Sequence, residues 1–132
     1  MTHTEFLNSV RDMAVITAEN LDSLANHYGK SFSQIKTNQI RNVFASIQDI
    51  RTKLRTKGEV TEEIHREIVL LKPKVAYIKG RNAQKPEFTT FYDMMRHSVD
   101  TTVSSGDKYE ATWNFIRLVE SIVAYHRFYG GK

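Results

Sequence analysis

The spacing of apolar residues predicts helices along most of the chain. In the longest such stretch, 107–131, apolar side chains form two stripes at helical spacing and leave a narrow polar wedge near Asn114, Arg117 and Ser121. A helix that is apolar nearly all round is normally buried within its domain. We therefore predict that this C-terminal helix forms the centre of the fold, with Asp107 and Glu110 as a capping box.

Four earlier stretches each carry a single apolar stripe with a period near 3.6 residues. They predict helices over residues 4–28, 37–57, 61–80 and 86–105. Gly29, Gly58 and Gly106 follow three of these stretches, as is common at helix C-termini. Pro73 lies inside the third stretch and cannot donate a backbone hydrogen bond. Because the stripe keeps its phase across the proline, we predict one kinked helix over 61–80 rather than two.

The chain has no stretch of adequate length in which apolar and polar residues alternate as in a strand, and no internal repeat. We predict an all-α fold: a compact bundle of about five helices with a buried C-terminal central helix, in one domain over residues 1–132. A chain of this size buries about two-thirds of its unfolded surface, so it needs neither a metal nor a disulfide to fold.

Composition narrows the classes of protein that this chain can belong to. Without cysteine it has no disulfide scaffold, no thiol nucleophile and no cysteine-ligated zinc. No apolar run approaches the roughly 18 residues of a membrane span. The first residues lack the basic start and apolar core of a signal peptide. We expect a soluble cytoplasmic protein with no membrane partner.

Charge is distributed unevenly along the chain. The net charge is only +4, but residues 30–86 hold thirteen lysines and arginines against five acidic residues, a local net charge of +8. Residues 1–29 carry −3 and residues 87–132 carry −1. A basic middle third between mildly acidic ends favours one attractive surface over a uniformly basic protein.

Several basic residues of the middle third and the C-terminal helix could converge on one face: Arg41, Arg55, Lys72, Lys74, Lys79, Arg81 and Arg127. Arginine and lysine suit phosphate oxygens and carry no sequence information by themselves. At this point two interpretations stay open. The residues form a nucleic-acid-binding face, or they are the solvated outer faces of two helices.

Candidate catalytic and metal-binding residues are few. Glu62 and His65 have the spacing of a carboxylate–imidazole pair from di-iron bundles, but the second copy that such a site needs is missing. His126 beside Arg127 could act as a general acid–base pair for RNA cleavage. A histidine at the edge of the core explains the same residues more simply. We predict no catalytic residue, no metal site and no cofactor.

Three blocks of sequence carry a resemblance to a known family. They are residues 37–44 (TNQIRNVF), residues 70–77 with Gly80 and Arg81 (LLKPKVAY), and residues 118–131 (LVESIVAYHRFYGG). In this order they resemble the Csm small subunit of type III-A CRISPR interference complexes. The blocks cover about a quarter of the chain directly, and its total length fits the family.

The resemblance implies an all-helical subunit that is not the nuclease. Copies of it would stack head to tail, beside other Csm subunits, and line the channel in which target RNA pairs with CRISPR RNA. Within the three blocks, helix faces favour four residues as RNA contacts: Arg41, Lys74, Arg81 and Arg127. Four more are secondary candidates: Gln39, Lys72, Lys79 and His126.

Two other classes of function remain as alternatives. A helical protein–protein adaptor could use the basic face to meet an acidic partner and bind no nucleic acid. An enzyme would need a site centred on His126.

Overall fold

The computed structural model describes residues 1–131, and in that range every regular element is helical. The elements are α1 (His3–Ser9), a short 3-10 helix (Met13–Val15), α2 (Ala18–Ser31), α3 (Thr37–Lys57), α4 (Glu62–Val69), α5 (Leu71–Arg81), α6 (Pro86–Val103) and α7 (Lys108–Phe128). The predicted all-α class is confirmed. The helices outnumber the five expected because two predicted helices are each divided.

The predicted helix over residues 4–28 is wrong, because the chain leaves and re-enters helical conformation between Ser9 and Ala18. Two side chains start new helices there. The Asp12 carboxylate accepts a hydrogen bond from the backbone N–H of Ala14 at 2.9 Å, and the Thr17 hydroxyl accepts one from Asn20 at 3.1 Å. Short polar side chains compete in this way with a continuous helix. The second part then runs through Gly29, the predicted stop, to Ser31.

The predicted single helix over residues 61–80 is also divided, into α4 and α5, with Leu70 between them. Pro73 is the third residue of α5. There its missing N–H removes no bond within α5, because the first four N–H groups of a helix have no partner in that helix. The apolar stripe nevertheless keeps its phase, since Ile64, Ile68, Leu71 and Val75 are all buried.

Helix α7 lies at the centre of the bundle, as predicted, and packs against α2, α3, α6 and the 3-10 helix. Its polar wedge is narrower than expected. Asn114 is 7% exposed, and its side-chain amide donates to the carbonyl oxygens of Met13 and Ala14 at 3.0 and 3.3 Å. Conversely, Tyr109 belongs to a predicted apolar stripe but is exposed.

The closest approach between α2 and α7 is made possible by Gly29. A Cβ atom at this position would lie 2.3 Å from the Cβ of Tyr125. Polar contacts fix the crossing on the same side: the Tyr125 hydroxyl donates to Asp22 at 2.6 Å, and the Tyr129 hydroxyl donates to Asn26. The glycine inside α2 is therefore a packing requirement.

No helix within residues 1–131 combines the length and the apolar character that crossing a membrane requires.

Candidate nucleic-acid interface

A groove of about 890 Å³ lies between the first half of α3 and helix α5. Both walls belong to the basic middle third of the chain, and most of their residues fall in the first two blocks of the family resemblance. Helix α3 contributes Asn38, Gln39, Asn42, Val43 and Ser46, and α5 with the residue after it contributes Pro73, Lys74, Tyr77, Ile78, Arg81 and Asn82.

Helical spacing explains why these side chains share the groove. Residues three or four apart stand on one face of a helix. On α3, the residues Asn38, Asn42 and Ser46 follow one another at intervals of four. On α5, the residues Lys74, Tyr77 and Arg81 follow at intervals of three and four, next to the buried positions that hold α5 on the core.

Lys74 spans the groove to a neutral partner. Its ammonium group donates to the Ser46 hydroxyl at 2.7 Å, and that hydroxyl donates to the backbone carbonyl of Asn42 at 3.0 Å. Asp49 lies nearly one turn further along α3, but it binds Lys53 at 3.1 Å. Within residues 1–131, Lys74 forms no salt bridge within 4.0 Å, and Lys53 contributes more than the nearby charge of Lys74 does to lowering the pKa of Asp49.

Arg81 lies beside Tyr77, one turn earlier on α5. Its guanidinium donates to the Tyr77 hydroxyl at 3.2 Å, and its central carbon lies 5.8 Å from the centre of the ring. This is a cation–π arrangement. Tyr77 remains 65% exposed. The groove therefore offers an accessible aromatic ring between two cations.

The remaining lysines of α5 face α6 instead. The Lys72 ammonium group binds the Asp100 carboxylate at 2.8 Å, and the Lys79 ammonium group lies 4.7 Å from the centre of the Tyr92 ring. The predicted RNA candidates of α5 thus fall into two rows, and the structure brings only Lys74 and Arg81 to the groove.

Of three other predicted RNA contacts, one lines the groove and two lie outside it. Gln39 lines the groove, where its side-chain oxygen accepts a hydrogen bond from the backbone N–H of Lys36 at 2.9 Å. Arg41 is exposed on α3 but does not line the groove, and Arg127 is exposed at the end of α7. Within residues 1–131, neither arginine forms a salt bridge.

His126, a secondary candidate for RNA contact, does not reach the surface. The residue is 4% exposed, and its Nε2 lies 2.7 Å from the backbone carbonyl oxygen of Ile35. Gly131 covers the ring so closely that a Cβ there would lie 2.1 Å from it. This contact between the buried imidazole and the backbone holds the segment before α3 against α7. His126 is therefore not part of the exposed basic surface.

Two basic residues elsewhere on α3 differ from the groove cations, because each is paired with one or more carboxylates. The carboxylates of Glu67, Asp49 and Glu63 surround the Lys53 amine at 2.7 to 3.1 Å and raise its pKa. Arg51 binds Glu120 of α7 at 2.6 Å. Both cations hold helices together. Among the described residues, no group of three histidine, aspartate or glutamate side chains is placed to hold a metal ion.

Sequence reasoning missed five polar or aromatic groove residues, Asn38, Asn42, Ser46, Tyr77 and Asn82. One signal was available: Tyr77 stands three residues after Lys74 and four before Arg81, outside the buried stripe of α5. An aromatic residue between cations on one helix face is typical of single-strand binding.

Comparison with known proteins supports the resemblance carried by the three blocks. The family model described as Csm2 Type III-A matches residues 16–132, which leaves only the first 15 residues, with α1 and the 3-10 helix, outside the match. Neither a curated protein nor a solved structure matches the chain. Since the match covers most of the chain, this protein belongs to the Csm2 Type III-A family, the small subunits of type III-A Csm complexes.

Proposed function

We propose that this subunit binds the RNA backbone without sequence specificity and performs no catalysis, as one of several copies stacked along target RNA paired to CRISPR RNA. The observation that carries the proposal is the groove between α3 and α5, where Lys74 and Arg81 are exposed and, within residues 1–131, form no salt bridge. Phosphate oxygens are suitable counter-charges for both.

Backbone binding is sufficient for such a role. Guide pairing selects the target, so the protein needs only to hold the strand. If one subunit contacts about three phosphates, its affinity should fall with salt at a log–log slope of roughly −2. A single copy would then bind weakly, and several copies stacked on one guide would gain from effective concentration.

The other predicted RNA contacts contribute to different degrees in this proposal. Gln39 would contribute a side-chain amide to the groove, and Arg41 and Arg127 would extend its positive charge over the exposed surface. Lys72 and Lys79 would contribute less, because each already has a partner on α6. His126 has no place in the proposal, since it is buried.

Isolation of the complex through this chain tests the proposal against a protein–protein adaptor. The absorbance ratio at two ultraviolet wavelengths and the mass of the purified complex show whether RNA and other Csm subunits accompany the chain. RNA in the complex, lost at high salt together with the subunit, is the expected result. A complex that contains acidic protein partners and no RNA would favour the adaptor.

A further inference from the structure

We infer that the groove between α3 and α5 binds one unpaired ribonucleotide, with its base stacked on Tyr77 and its flanking phosphates on Lys74 and Arg81. This inference rests on the proposed RNA binding, because it uses the same groove. It adds a binding site for the base, which binding of the RNA backbone alone does not require.

Tyr77 is the first reason. It is 65% exposed, although its neighbours Leu71 and Val75 on α5 are buried. Arg81 approaches the ring, but the exposure leaves much of the aromatic surface accessible to a ligand. Every nucleobase has a π-face that stacks on such a ring, and stacking of this kind is tolerant of sequence.

The spacing of the two cations is the second reason. Lys74 precedes Tyr77 by three residues and Arg81 follows it by four. At about 1.5 Å rise per residue, the Cα atoms of Lys74 and Arg81 stand roughly 4.5 and 6 Å from the Cα of Tyr77 along the helix axis, on opposite sides of it. A nucleotide has a phosphate on each side of its sugar, so one base on Tyr77 places its two phosphates near these two cations.

The side-chain amides are the third reason. Asn38 and Asn42 are exposed, and their side chains form no hydrogen bond within residues 1–131. The Asn82 amide donates to the carbonyl of Ile78 at 2.8 Å, which leaves its oxygen as an acceptor. Phosphate offers only acceptors and cannot satisfy amide oxygens. The edges of a base and the ribose hydroxyl offer both donors and acceptors.

The exposed ring of Tyr77 implies that the bound base is not stacked on its neighbours in the RNA. In a continuous duplex, neighbouring base pairs cover both faces of each base, so a base must be unstacked before it can lie on an aromatic side chain. The groove volume of about 890 Å³ falls within the range of about 300–1,000 Å³ found for small-ligand sites. The ligand is therefore a single nucleotide that has left the helical stack.

The test compares two short RNA duplexes that differ in one group. Each has a one-nucleotide bulge, and in one of them the bulged nucleotide lacks its base. The full chain should bind the intact bulge roughly ten-fold more tightly, as expected for one base–aromatic stack. Tyr77→Leu should abolish this preference and Tyr77→Phe should retain it. The matched control is Tyr109→Leu, because Tyr109 is also exposed but lies outside the groove.

The outcomes separate the nucleotide site from the proposed backbone binding. Equal, salt-sensitive affinity of the unaltered chain for both duplexes would overturn the nucleotide site and leave backbone binding intact. The same holds if Tyr77→Leu keeps the preference. Failure to bind either duplex at any salt concentration would overturn both.

Discussion

The ammonium group of Lys74 on α5 donates a hydrogen bond to the Ser46 hydroxyl on α3 at 2.7 Å, directly across the groove. The partner is neutral, so the bond positions the lysine and leaves its charge available. The carboxylate-bound Lys53 on the same face of α3 shows the opposite arrangement. From this difference we expect Lys74 to bind a ligand and Lys53 to hold helices together.

Placing a carboxylate opposite Lys74 should weaken RNA binding. Ser46→Glu neutralises the lysine locally and should remove about one phosphate contact, which makes the log–log salt slope about 0.7 less steep for single-stranded RNA. Thr52→Glu is the matched control, because Thr52 is exposed on α3 and its hydroxyl also bonds to the carbonyl four residues earlier. Fluorescence anisotropy with labelled RNA measures both. An equal effect of the two variants would argue against the role of Lys74.

Gly29 should tolerate no larger residue. Gly29→Ala gains about 1 kcal/mol of helix propensity, but the new Cβ collides with Tyr125, and overpacking costs about 1–3 kcal/mol. The α2–α7 crossing should therefore weaken, with a lower urea midpoint by circular dichroism. The control is Gly80→Ala in α5, where no atom lies within 4 Å of the new Cβ. The Gly80→Ala variant should be up to about 1 kcal/mol more stable than the unaltered chain. A Gly29→Ala variant as stable as the unaltered chain would contradict the close packing of α2 and α7.

Stability should fall as pH drops below about 6.5. Burial lowers the pKa of His3, against the opposing effect of Asp93, and burial together with His3 lowers the pKa of His27. Both imidazoles are therefore neutral in the folded state at a pH where the unfolded chain already binds protons. The stabilisation is complete above the unfolded pKa and is lost progressively as pH falls from there through the lower folded pKa.

The double variant His3→Gln, His27→Gln tests this pH dependence. Urea unfolding at about pH 7.5 and about pH 5.5 brackets the unfolded pKa of histidine. The variant should lose less stability than the unaltered chain between the two pH values. Equal losses would show that other groups cause the dependence.

Much of the burial pattern was predictable from the sequence, since the apolar stripes of α3, α5 and α7 do face the core. The breaks within the predicted helices were not predictable from the sequence. Phe6, Val10 and Met13 are buried as a helical stripe would bury them, but the caps formed by Asp12 and Thr17 turn the chain between the two halves. Hydrophobic spacing alone does not reveal whether a short polar residue caps a helix or continues one.

The burial of two residues predicted to be exposed has a similar cause. Lys74 and Arg81 were predicted as RNA contacts and they share a groove, but His126 and Asn114 were assigned to polar surface and are buried. Their partners are the backbone carbonyls of Ile35 and Met13, which are 91 and 101 residues away in sequence. Such long-range bonds leave no local pattern, so a polar residue that satisfies a buried carbonyl looks like a surface residue.

We predict that stacked copies meet through oppositely charged surfaces, the acidic residues 1–29 of one copy against the basic residues of the next. The acidic stretch 1–29 offers Glu19, which is exposed, whereas Asp22 already accepts a hydrogen bond from the Tyr125 hydroxyl. Glu19→Lys should therefore reduce the number of copies in the assembled complex while leaving the fold intact, and Glu59→Lys, also exposed, is the charge-matched control. Native mass spectrometry counts the copies. Unchanged assembly with Glu19→Lys would exclude this acidic end from the contact.

The most direct test of the central claim is the salt dependence of single-stranded RNA binding by the double variant Lys74→Ala, Arg81→Ala. Its control is Arg11→Ala, Lys57→Ala, which removes the same charge from exposed positions outside the groove. If the groove holds two of about three phosphates, the log–log slope should fall from roughly −2 to roughly −0.7 in the groove variant and stay near −2 in the control. Equal slopes in the two variants would contradict the assignment of RNA binding to this groove.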